Sequence, residues 1–280
     1  MERASRSLLA AHVVLILFST YALTTFLAGT PPAWLGTEPA QTVYHYGWML
    51  SGPTYVILGA AAIFLHAAQR FGQGKAVALL TAGFGISLAS EILGTSTGLP
   101  FGPYSYTTLL GYRIAGLVPF PIPLSWFYMV YSSLALTGRI LPVRNTERSR
   151  TAWALSAGAI LTAWDVSMDP AMSSATTHWQ WHTPGIFYGM PLSNWVGWFL
   201  TGSIVARAML AIVQPRQVAE RVSNSPLPAI VYAANGVLPI ALCLRHGLWW
   251  AAIFGALAMG LPLLLFNRPK EVAPTVILGG

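Results

Sequence analysis

Eight of the 280 residues are acidic, and three of these, Glu91, Asp165 and Asp169, fall inside long apolar stretches. A carboxyl group in hydrocarbon costs about 2.5–3.5 kcal/mol on insertion scales, so such groups serve pairing, ion conduction or proton chemistry. Asp165 and Asp169 are spaced i,i+4, which on a helix puts them on one face with Cβ atoms about 5–6 Å apart. Two carboxyls so placed in a poorly solvated site resist ionising together, and one is expected to keep its proton near neutral pH. The pair would then offer an acid and a base side by side. Pro170 is expected to end or kink the helix just beyond the pair, letting the following loop fold back over it.

The elements that must position these groups are membrane helices. Hydrophobic residues make up 55% of the chain and charged ones 8%, against about 25% charged in soluble globular proteins. Apolar windows of roughly 20 residues predict eight spans: 8–28, 47–68, 76–97, 119–141, 151–171, 194–213, 227–244 and 247–266. The expected fold is an all-α polytopic helical bundle, with residues 1–280 forming one transmembrane domain. The first span follows Arg3 and Arg6 as a signal peptide would, but its apolar run exceeds the roughly 7–15 residues of a signal core and is read as a helix. Cys243 is the single cysteine, so neither an intrachain disulfide nor a cysteine metal site is expected.

The formal charge of +7 does not point to nucleic acid. With the N- and C-termini cytoplasmic, eight spans put Arg3, Arg6, Arg70, Lys75, Arg139, Arg144, Arg148, Arg150, Arg207, Arg216, Arg221, Arg268 and Lys270 on the inner side, and only Arg113 and Arg245 on the outer. That asymmetry is the positive-inside signature of a multi-pass protein of the cytoplasmic membrane. The third and fifth spans then both run outward. At 1.5 Å per residue, Glu91 lies about 22 Å above Ala76, Asp165 about 21 Å above Thr151, and Asp169 about 27 Å above it. Glu91 and Asp165 should share a depth, in the outer third of a hydrocarbon layer roughly 30 Å thick.

Two outer loops, residues 98–118 and 172–193, are rich in Gly, Pro and aromatics. Their rings would suit an interfacial belt, but His178, Trp179, Trp181, His182 and Tyr188 lie close enough together to roof an amphipathic cavity. His178 and His182 have an i,i+4 spacing that can hold a metal on a helix. In a loop they are better read as hydrogen-bonding or relay groups, with no metal and no cofactor implied.

Three readings of the carboxyls stay open. They could fix helix packing by pairing with Arg113, Trp N–H groups or hydroxyls. The Asp165-x-x-x-Asp169 spacing could hold Mg²⁺ and a diphosphate, as in an intramembrane prenyltransferase or lycopene elongase, although Glu91 lacks the acidic partner that a second such motif would need. They could instead move protons, in an enzyme or in a proton-coupled transporter of an apolar substrate. Transporters tend to show repeats and broken helices at the midplane, whereas here the acids are displaced towards one leaflet, which favours an enzyme.

Several phrases of the chain resemble the CruF-type carotenoid hydratases. They are Glu91–Gly94 with Thr97-Gly98, Pro100–Tyr106, Gly111–Arg113, Val118-Pro119, Ile122–Phe127, Trp164-Asp165 through Asp169-Pro170, and Trp179 through Pro184-Gly185 and Tyr188-Gly189 to Asn194-Trp195. The resemblance covers residues 85–200. It implies addition of water across the terminal C1′–C2′ double bond of an acyclic carotenoid end, giving a tertiary 1′-hydroxyl. A γ-carotene-like or lycopene-like substrate would be met within the bilayer, with water, lipids and other enzymes of the carotenoid pathway as partners. Glu91, Asp165 and Asp169 are then the candidate acid–base groups. Arg113, Tyr104, Tyr106, Trp126, Phe127, His178, Trp179, Trp181, His182, Tyr188 and Asn194 are the candidate supporting or substrate-binding residues.

Overall fold

The computed structural model describes residues 1–26, 33–144 and 146–267, except for the side chains of residues 48 and 49. Eight helices of 18 residues or more stand where the eight apolar stretches predict them: α1 (Glu2–Tyr21), α2 (Glu38–Phe71), α3 (Gln73–Thr97), α4 (Pro121–Ile140), α5 (Glu147–Pro170), α6 (Ser193–Ile212), α8 (Pro226–Arg245) and α9 (Trp249–Phe266). A short α7 (Pro215–Arg221) links α6 to α8. The chain is an all-α polytopic membrane protein.

Six of these helices are both long and apolar enough to cross a membrane. The two that fall short, α4 and α5, sit inside the bundle. Sixteen of the 20 residues of α4 are buried, and it packs against α2, α3, α5, α6, α8 and α9. A helix shielded by other helices can carry polar groups whose partners come from its neighbours. Tyr128 of α4 donates to Asn235 Oδ1 of α8 at 2.8 Å, and Tyr131 meets His66 Nδ1 of α2 at 3.0 Å. The surface helices do the opposite, exposing Val14, Leu17, Phe18, Leu257, Leu261 and Leu264 as lipid-facing side chains would be.

Boundaries differ from expectation chiefly in the first two helices, and α1 starts six residues before its predicted span. α1 continues as a π-helical turn, Ala22–Phe26. α2 starts nine residues before the predicted span, since Glu38–Tyr46 is helical without being apolar. Its 34 residues extend about 51 Å, well beyond the roughly 30 Å of a hydrocarbon core. Pro170 closes α5 as expected, and the chain passes into a second π-turn, Ala171–Ala175.

Most of the described basic residues gather at one end of the bundle, Arg113 and Arg245 excepted. There Arg207 pairs with Glu147 at 2.5 Å, Arg139 reaches Asn224 Oδ1 at 3.3 Å, and Arg221 donates to the carbonyl of Arg70 at 3.2 Å. The opposite end holds the C-termini of α3 and α5, the N-termini of α4 and α6, and the two Gly/Pro-rich loops. Gly98 turns the chain out of α3 with φ +82°, a left-handed conformation that glycine adopts without Cβ strain. The loops then form two small antiparallel sheets. β1 (Tyr104–Tyr106) pairs with β4 (Trp179–Trp181), and β2 (Arg113–Ile114) with β3 (Val118–Pro119).

Close packing of α5 on α6 fixes the helix that carries both aspartates. A Cβ at Gly158 would lie 2.2 Å from Ser203 Oγ and 2.8 Å from the carbonyl oxygen of Phe199. The hydroxyl can rotate, but the carbonyl is backbone and cannot move without the helix. Gly158→Ala is therefore expected to destabilise the protein by about 1–3 kcal/mol, the usual cost of overpacking. Thermal unfolding in detergent checks this: an unchanged midpoint would show that the two helices are not in such close contact.

Candidate active site

β1 and β4 form a lid whose alternation sorts side chains by face. In register, Tyr104 lies opposite Trp181 and Tyr106 opposite Trp179. Successive strand residues point to opposite sides, so these four rings turn inward while Ser105 and Gln180 face out. Tyr104 and Trp181 approach at 5.2 Å between centroids, and Tyr106 and Trp179 at 5.9 Å, within the 4.5–7 Å range of favourable aromatic pairs. Under the lid, the phenols go to one carboxyl and the indoles to another.

Glu91, in the penultimate turns of α3, is 3% exposed. Its Oε2 accepts hydrogen bonds from the Tyr104 hydroxyl and from the Tyr106 hydroxyl at 2.8 Å, and its Oε1 from Trp126 Nε1 of α4 at 3.0 Å. Burial and the adjoining Glu91 carboxyl push both phenols well above the ordinary tyrosine range, so they remain O–H donors at any physiological pH.

Asp169, in the last turn of α5, is held by four donors. Its Oδ1 accepts from Trp181 Nε1 at 3.0 Å and from Ser173 Oγ at 3.1 Å. Its Oδ2 accepts from Trp179 Nε1 at 3.1 Å and from Asn194 Nδ2 at 3.3 Å. Indole N–H groups only donate, so this cage suits a carboxylate. It also leaves little of Asp169 free for a cation. Among the described residues, no three His, Cys, Asp or Glu side chains are placed to hold a metal ion.

Asp165, one turn deeper, is fully buried. Its Oδ2 accepts from Asn194 Nδ2 at 2.8 Å, and its Oδ1 has no partner. The Asn194 amide, at the start of α6, thus bridges the two aspartates.

Glu91 and Asp169 line one narrow cavity of about 70 Å³, and Asp165 does not. The space exceeds the roughly 10–15 Å³ that one water needs. Aromatic side chains line much of its wall. Trp126 stacks on Trp198 at 4.4 Å, and Trp164 meets Trp198 edge-on at 5.7 Å. Six of the candidate supporting residues line this cavity: Tyr104, Tyr106, Trp126, Trp179, Trp181 and Asn194.

The others lie elsewhere. Arg113 donates to the backbone carbonyl of Tyr106 at 3.2 Å and pairs with none of the three carboxyls, so the expected ion pair is corrected to a brace under the lid strand. Phe127 is fully buried against Gly83 of α3: one residue on from Trp126, a helix has rotated its side chain away from the cavity. His178 contacts Thr176 Oγ1 at 2.7 Å. Burial lowers its imidazole to about 4, which leaves it neutral at physiological pH. His182 meets Ser105 Oγ at 2.9 Å on the outer face of the lid. The Tyr188 hydroxyl accepts from the backbone N–H of Trp250, and its carbonyl from Ser174.

Sequence reasoning missed Trp164 and Trp198 as cavity walls. The available signal was the i,i+4 spacing of Trp198 from Asn194, which puts both on one face of α6.

The fold and site define a polytopic helical membrane protein with a buried, aromatic-walled cavity faced by two carboxyl groups. Residues 51–262 match the family model described as carotenoid biosynthesis protein, and the chain belongs to that family. It is also 29% identical over 191 residues to the bisanhydrobacterioruberin hydratase of Haloarcula japonica, a match taking in 68% of this chain and 61% of the relative. The chain therefore covers less than two thirds of that relative's length. No solved structure matches. The family expected from the phrases between Glu91 and Trp195 is borne out.

Proposed function

We propose that this protein is a carotenoid hydratase, a hydro-lyase that adds water across the terminal C1′–C2′ double bond of an acyclic carotenoid end. The substrate would be γ-carotene-like or lycopene-like. One observation carries the reading: Glu91 and Asp169 face the same cavity, lined largely by aromatic side chains, each held by a different set of donors. The family and the hydratase relative support a carotenoid as the substrate class.

In this proposal Glu91 enters as the carboxylic acid, its proton on Oε1, which accepts only from Trp126 and so keeps a place for it, and it gives that proton to C2′. The double-bond electrons form the new C–H bond and leave a tertiary cation at C1′. The Glu91 carboxylate left behind is what Tyr104, Tyr106 and Trp126 are placed to stabilise, so their hydrogen bonds strengthen as charge develops. Trp126, Trp179, Trp181 and Trp198 line the space in which the cation would form, and a ring face turned to a desolvated cation is worth about 2 kcal/mol. Water attacks C1′, and the oxonium loses its proton to Asp169. That proton is strongly acidic, so a carboxylate weakened as a base by four donors still takes it. Return of the proton from Asp169 to Glu91 resets the site.

Asp165 would act through Asn194. With one accepted hydrogen bond and a bare buried oxygen, it is the aspartate whose surroundings favour the neutral acid, leaving the negative charge on Asp169. By the positive-inside rule, the basic end of the bundle would face the cytoplasm and the site the outer leaflet of the cell membrane.

Expression in a host that makes lycopene or γ-carotene tests the proposal. Pigments extracted with the protein present should gain the mass of one water per hydrated end, as a tertiary alcohol. Unchanged pigment in a host with confirmed membrane expression would overturn the reading.

A further inference from the structure

The reacting cavity is far too small for its substrate. Its roughly 70 Å³ exceeds what a water needs, whereas a carotenoid extends many carbons as a stiff rod. A second cavity of about 620 Å³ lies against it, within the roughly 300–1,000 Å³ typical of small-molecule sites. The two share three wall residues, Tyr55, Leu110 and Met172. The larger cavity is apolar and runs between the end of α1, the long N-terminal half of α2 and α8. Its outer wall includes the exposed side chains of Phe18, Trp34 and Val43, so it opens where lipid chains would lie.

Resting on the hydratase reading, we propose that this groove binds the polyene of the substrate, with the end group passing Tyr55, Leu110 and Met172 to reach Glu91. The helical extension Glu38–Tyr46, unneeded for crossing the membrane, then forms a wall of the substrate site. Gly47 is a width-determining position. It lines the groove, and a Cβ there would meet no atom within 4 Å, so its missing side chain leaves the space open.

Gly47→Phe sends a ring into the groove from a Cβ that meets no atom within 4 Å. Its thermal midpoint in detergent should match that of the unaltered protein. Binding of lycopene from mixed micelles, read as quenching of tryptophan fluorescence, should weaken at least about tenfold, a loss equivalent to about 1.4 kcal/mol. Val43→Trp narrows the groove from an exposed position and repeats the test should Gly47→Phe fail to fold. Unchanged lycopene affinity in the folded variants would overturn the groove assignment, and so would a groove that in the unaltered protein retains phospholipid and does not exchange it for lycopene. The hydratase reading fails separately: the unaltered protein would then bind lycopene but return it without added water.

Discussion

Glu91→Gln is expected to lower hydration by about 10²–10⁴-fold, the usual contribution of a positioned general acid, while leaving the protein folded. The two effects separate because glutamine matches the shape of glutamate but has no transferable proton. Its carbonyl oxygen can still accept from Trp126 Nε1, which stands 3.0 Å from Oε1. Its amide can face Tyr104 and Tyr106, whose hydroxyl oxygens also accept hydrogen bonds. The lid therefore keeps its anchor, and the thermal midpoint should fall by only a few degrees. Tyr104→Phe and Tyr106→Phe remove one donor each from the carboxylate formed during protonation, and should each cost about tenfold or more, by analogy with other charge-stabilising donors. Pigment conversion at matched membrane expression is the measurement. Full conversion by Glu91→Gln would remove Glu91 from the chemistry.

The eight long helices were legible because the pattern that marks a span, a run of about 20 apolar residues, depends on the bilayer and not on tertiary contacts. The start of α2 was not, because Glu38–Tyr46 carries Glu38, Gln41 and His45 and its helix reflects local propensity with groove packing on one side. The carboxyls were legible as chemistry, since three acids in apolar runs demand an explanation. Which of them face the cavity was not. Four residues of α-helix turn through 400°, so Asp165 and Asp169 share a face but differ by about 40° and by one turn of depth. That offset puts Asp169 under the indoles and Asp165 behind Asn194.

The loop histidines hydrogen-bond as expected but away from the acids, for a related reason. Read as a loop, His178 through His182 looked like one cluster of rings. As strand β4, the segment obeys a period of two, which turns Trp179 and Trp181 to the acids and sends His178 and His182 to other surroundings. The strand is set by pairing with a segment more than 70 residues away, and no local pattern announces it. Trp164 and Trp198 were passed over because tryptophan near a helix end reads as interfacial anchoring. Only the packing of α4, α5 and α6 shows that their rings close the cavity.

Asp169→Asn should be as damaging as Glu91→Gln and should differ from it in kind. Hydration is expected to fall by about 10²–10⁴-fold, because the amide cannot accept the oxonium proton. The lid should also loosen. An amide replaces one acceptor oxygen by an N–H₂ donor, so either Trp179 Nε1 or Trp181 Nε1 loses its acceptor, and a buried unsatisfied donor costs about 1–3 kcal/mol. Amide hydrogen exchange should rise in Thr177–His182 and in the paired Tyr104–Tyr106, with α3 unaffected. Asp165→Asn supplies the contrast. Its carbonyl oxygen can keep the hydrogen bond from Asn194, the new amide occupies a site already expected to be neutral, and no indole loses a partner, so activity should stay within about tenfold of the unaltered protein. If Asp165→Asn abolished hydration and Asp169→Asn spared it, both folded, the base would be the deeper aspartate, and the exchange of roles between the two would have to run through Asn194, which touches both.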